Sequence, residues 1–91
     1  MSEYMEIESE LDDGAIIFTT NLPLTAEGHE ETYVSAALLE EGSPVAQALS
    51  LVPGIVALTM RGGQLTLTPA PDADYHALAA DVTAALKEFF L

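Results

Sequence analysis

The sequence predicts an α+β fold, a two-layer sandwich in which an antiparallel sheet of about four strands carries a pair of helices on one face. Three stretches predict it. From Ser43 to Pro69, SPVAQALSLVPGIVALTMRGGQLTLTP reads as helix, sharp stop, strand, tight turn and strand. Before this unit, apolar and acidic side chains alternate with period two; after it, apolar residues recur at three- and four-residue spacing. Both flanks need the apolar surface of the middle unit. A chain of 91 residues supports a single core, so residues 1–91 are expected to form one domain.

Taken in order, Tyr4 to Leu11 places Met5, Ile7 and Leu11 on one side and Glu6, Glu8 and Glu10 on the other, the pattern of a strand with one wet face. Asp12-Asp13-Gly14 supplies turn chemistry, and Ala15 to Thr20 is a short β-prone run, so the two read as a hairpin. Asn21 to Glu31 shows no period and is punctuated by Pro23 and Gly28, which predicts a loop. Thr32 to Ser35 is β-prone but short. The AALLEEG that follows has length for only a turn or two of helix, with Leu38 and Leu39 directed to the edge of the core.

Ser43-Pro44 is a helix opening. The serine side chain can accept from an orphan amide, and proline at the first helical position gives up a hydrogen bond that was never available. Val45, Ala48, Leu49 and Val52 share a face, and Pro53-Gly54 ends the helix. Ile55 to Met60 and Leu65 to Thr68 are strands joined through Arg61-Gly62-Gly63-Gln64. Asp72 or Asp74 caps a final helix with an apolar stripe of Leu78, Val82, Ala85, Leu86 and Phe89. Phe90 and Leu91 suggest a terminus that is docked or belongs to an interface.

Charge excludes whole classes of partner. Arg61 and Lys87 stand against fifteen carboxylates, for a formal net charge of −13. Nucleic acids and anionic membrane surfaces both require clustered Lys and Arg, so neither is expected to bind. Eleven of the fifteen carboxylates lie at or before Glu41, which makes the N-terminal portion either a solubilising surface or a docking face for a basic protein partner. Edge strands favour pairing between copies and the charge opposes it, so a monomer or weak dimer is expected. The start lacks the positive and apolar regions of an export signal, and no apolar run approaches a membrane span, which points to the cytoplasm. Cysteine is absent, so no thiolate nucleophile and no sulfur-ligated metal or cluster is expected, and no cofactor is implied.

No catalytic constellation emerges. Glu27, His29, Glu30 and Glu31 gather an imidazole among carboxylates, a set acceptable to a divalent cation, though adjacent residues of one loop rarely converge on a single ion and a solvated acidic loop is the simpler reading. His76 follows Asp72 and Asp74, which suggests an Asp-His pair, but an aspartate at that place is also an ordinary helix cap. Arg61, Gly62 and Gly63 have the composition of a small anion-binding or interaction turn and equally of a hairpin tip.

The order Ser43-Pro44-Val45-Ala46-Gln47-Ala48-Leu49, Val52-Pro53-Gly54-Ile55, a glycine turn, Gln64-Leu65-Thr66-Leu67-Thr68 and a closing helix ending in Phe89-Phe90 resembles the N-terminal domain of Nfu/NifU-like iron-sulfur scaffold proteins. The similarity is clearest over Ser43 to Thr68. Where that family has a Thr-Pro-Asn-Pro segment after its first strand, this chain has Glu10-Leu11-Asp12-Asp13-Gly14. The resemblance implies the same α+β fold and a non-catalytic interaction or accessory role linked to cluster assembly, without ligation of a cluster by cysteine. The alternative is a small-ligand binder or enzyme with a pocket between sheet and helix.

Overall fold

The computed structural model describes residues 6–25 and 28–90. Two hairpins and a long C-terminal helix frame it. The first hairpin joins β1 (Ile7–Asp12) to β2 (Ala15–Thr20), and the second joins β4 (Ile55–Arg61) to β5 (Gln64–Pro69). A further strand, β3 (Glu30–Tyr33), is followed by the short helices α1 (Ala36–Leu39) and α2 (Pro44–Leu49), and α3 (Tyr75–Phe90) closes the fold. The strands are antiparallel in the order β1-β2-β5-β4-β3, so the chain crosses from the second position to the far edge between β2 and β3.

Local chemistry accounts for the turns. Asp13 and Gly14 both lie in the left-handed region, at φ 51° and 81°, as a two-residue turn matched to strand twist requires. At the start of α2, Ser43 Oγ accepts from the Ala46 amide at 3.3 Å with Pro44 in the first turn. The helix ends at Leu49 with Ser50 as its C-cap, short of the Pro53-Gly54 stop expected from the sequence, and Gly54 takes φ 96° in the turn that leads to β4. Ser43→Ala is expected to cost about 1 kcal/mol, read as a lower urea midpoint at unchanged slope. The Tyr33 hydroxyl braces the same opening by accepting from the Ser43 amide at 3.2 Å while donating to Glu31 at 2.5 Å.

Register determines what is buried. Leu11, Ile16, Leu67, Leu58 and Tyr33 form one row across all five strands, and Ser9, Phe18, Leu65, Met60 and Glu31 form another. The central members of both rows pack beneath Leu39, Val45, Leu49, Leu78, Val82 and Leu86 in a single core, with the helices on that face. The opposite rows, Glu10-Ile17-Thr66-Thr59-Thr32 and Glu8-Thr19-Gln64-Arg61-Glu30, make a polar, threonine-rich face that no helix among the described residues covers.

The architecture is the α+β sandwich expected from the sequence, with β3 as a fifth strand. Glu30 and Glu31, read as the end of a loop, pair with Arg61 and Met60. Four such residues at a sheet edge are ordered by their neighbour, a long-range partner that periodicity does not register. Leu39 is buried, while Leu38 faces solvent. Leu11 lies on the core side but is 58% exposed, near the end of the edge strand β1. On α3, Phe90 packs against the core and Phe89 is 40% exposed, the reverse of the stripe drawn from spacing. Met5, Glu27 and Leu91 lie outside the described residues.

Candidate functional site

The residues singled out around His29 are only partly assembled. Successive side chains of a strand point to opposite faces, so Glu30 lies on the open face opposite Arg61 while Glu31 lies on the helix side and accepts from Tyr33. Among the described residues no group of three or more His, Asp or Glu is placed to hold a metal ion. His29, Glu30, Arg61 and Gly62 do line one open depression of about 750 Å³, which sets a cation and a carboxylate side by side.

The tip at Arg61-Gly62-Gly63 is clasped by the crossing loop. The Gly62 amide donates to Thr25 Oγ1 at 2.8 Å, the Gly62 carbonyl accepts from Leu24 at 3.1 Å, and the Gly63 carbonyl accepts from Thr20 at 2.8 Å. With that amide donating to Thr25, the turn is built as a structural joint between β2 and the hairpin. At the other end of the molecule, Asp74 Oδ1 accepts from the backbone amides of His76 and Ala77 at 2.9 and 3.3 Å, so it caps α3, and the His76 ring sits edge-on to Tyr75 at 5.1 Å.

The space between sheet and helices is filled by side chains such as Ile16, Phe18, Leu65 and Leu67, each fully buried. A second concavity, with mainly apolar walls, lies on the outside of the helical layer, where α2 packs against α3. It is a groove of about 570 Å³, within the range of about 300–1,000 Å³ typical of ligand sites. Ala48, Val52 and Pro53 form one side of it and Ala84, Ala85 and Phe89 the other. Leu51 stands at its edge with 84% of its surface in water, and Asp81 and Glu88 contribute carboxylates.

Local structure explains this exposure. Val45 and Leu49 are drawn into the core, and the chain turns after α2 so that Val52 half-follows them and Leu51 is left outside. Phe89 is held by an edge-to-face contact with Phe90 at 5.0 Å and 77°. Reading the sequence for motifs missed this site. Its signals were a leucine outside the Val45-Leu49-Val52 stripe and two acids seven residues apart, which share one side of a helix.

Fifteen carboxylates against two basic side chains put self-repulsion into the folded state. Raising salt from about 0.01 M to about 1 M shortens the Debye length from about 30 Å to about 3 Å, and the thermal midpoint is expected to rise monotonically. Differential scanning calorimetry would check it, and a falling midpoint in chloride salts would contradict it.

No family model matches the sequence, and no curated protein matches it. Among solved structures, the crystal structure of protein SAV1430 from Staphylococcus aureus is similar with a TM-score of 0.67 at 12% identity, covering 89% of this chain and 94% of that one. At that identity the likeness concerns the fold, which this chain shares over nearly its whole length.

Proposed function

We propose that the chain is a cytoplasmic, non-catalytic protein-interaction module, accessory to iron-sulfur cluster assembly. The groove between α2 and α3 carries the docking part of this reading, because it leaves Leu51 and Phe89 exposed to water beside apolar walls. The link to cluster assembly rests on the resemblance of Ser43 to Thr68 to the N-terminal domain of Nfu/NifU-like proteins. The sequence holds no cysteine, so any thiolate ligation belongs to the partner. No helix among the described residues is long and apolar enough to cross a membrane.

Capture of partners from the source cytosol on immobilised protein tests the reading, with washing first at low salt and then at about 0.15 M, where exposed charge is screened beyond about 8 Å. Retention of iron-sulfur assembly or recipient proteins at the higher salt is the expected result. Loss of every captured protein at that step would remove the assembly role and leave the negative charge as a nonspecific field.

A further inference from the structure

The chemistry of the α2–α3 groove selects the kind of segment that fits it. Its walls are apolar, with Leu51 on one side and Phe89 on the other, and small Ala84 and Ala85 let an occupant approach α3 closely. Its charge has one sign. Asp81 and Glu88 line it, seven residues apart and so about 10.5 Å along the same side of α3, and no basic residue lines it. Lys87, adjacent to Glu88 in sequence, borders a different depression on the other flank of α3, together with Ser9 and Thr83.

The groove is built from α2, the turn Leu51 to Pro53 and α3, with the Leu51 and Val52 amides already spent on the Ala48 and Leu49 carbonyls and Pro53 without an amide hydrogen. An extended peptide lying there would find no edge to pair with and would leave its own amides unmatched. A helix satisfies its backbone internally and needs only side-chain complementarity. A second copy of this chain is a poor occupant, since each copy carries a net charge of −13 and its two cations, Arg61 on the hairpin and Lys87, do not flank an apolar helix stripe of matching length.

We propose that this groove receives a basic amphipathic helix of a partner protein, with apolar side chains seated between Leu51 and Phe89 and flanking Lys or Arg opposite Asp81 and Glu88. The proposal rests on the reading of the chain as a docking module and names the partner's chemistry. Burial of the apolar stripe supplies affinity, and the paired carboxylates supply orientation and discrimination against acidic or neutral helices.

The test titrates a synthetic Leu/Lys peptide of about 18 residues, about 27 Å long as a helix, into isotope-labelled protein at about 0.15 M salt. Two controls accompany it: the same composition scrambled to remove the apolar face, and the Leu/Glu counterpart. Amide shifts are expected to concentrate on Leu51, Val52, Ala85, Glu88 and Phe89, with no binding of the Leu/Glu peptide. Leu51→Lys and Glu88→Lys, both at exposed positions that leave the core intact, should each weaken binding about tenfold or more. The proposal is overturned if the scrambled peptide binds equally well, if Leu51→Lys has no effect, or if the protein alone sediments as a dimer that Leu51→Lys dissolves. Shifts confined to the open sheet face would also overturn it while leaving the docking reading standing. Groove binding combined with failure to retain assembly proteins would uphold it and remove only the iron-sulfur link.

Discussion

Phe18→Ala is expected to cost about 4 kcal/mol and leave a large fraction of the chain unfolded at 37 °C. Phe18 is fully buried in the middle of β2, between Ser9 of β1 and Leu65 of β5, and belongs to the core beneath the helices. Removing its ring takes away transfer free energy and leaves a cavity that neighbours held in two sheet pairings can only partly fill. Single domains carry about 5–15 kcal/mol in total, so this loss is a large share of the whole. Ile17→Ala, one residue away on the uncovered face, is expected to cost about 1 kcal/mol. Urea unfolding of the pair measures the difference. A larger loss at Ile17 would mean that the wrong face of the sheet has been assigned to the core.

Gly63→Ala is expected to cost about 3 kcal/mol even though it adds one methyl group. A Cβ at this position would run into the carbonyl oxygen of Thr20, a backbone atom that cannot swing aside. Thr20 is itself tied to Gly63 by a 2.8 Å hydrogen bond from its amide to the Gly63 carbonyl, so any retreat also breaks the clasp between β2 and the hairpin tip. Gly62 provides the contrast. Nothing lies within 4 Å of a Cβ built there, and its penalty comes only from φ 60°, so Gly62→Ala should cost about 1 kcal/mol. Thermal melts would separate the two, since about 1 kcal/mol shifts the midpoint of a domain this size by about 4–8 °C. Equal penalties would show that turn conformation, and not the approach of Thr20, sets the requirement for glycine.

These two glycines show where reading the sequence stops. Both suit a hairpin turn, and nothing in RGGQ distinguishes the one needed for its dihedral angle from the one needed for close approach. That distinction comes from the loop after β2, which must pass the hairpin tip to reach the far edge of the sheet. The groove has the same character. Leu51 and Phe89 are thirty-eight positions apart in sequence, and neither signals a surface site until α2 and α3 are packed side by side.

By itself the sequence determined what neighbouring residues settle among themselves. Ser43-Pro44 opens a helix, Asp13-Gly14 turns a hairpin, period-two alternation marks β1 and β5, and short β-prone runs mark β2 and β4, because caps, fixed dihedrals and side-chain alternation act over a few residues. It also set the net charge of −13 and the absence of thiols, and with the latter the exclusion of thiolate chemistry on this chain. Only the tertiary structure decided the strand order, the pairing of Glu30–Tyr33 at the edge, the inward turn of Phe90 against the outward turn of Phe89, and the groove lined by Asp81 and Glu88. Each of these depends on contacts between residues distant in the chain, and their energies enter only when the sheet and the helices have closed on a common core.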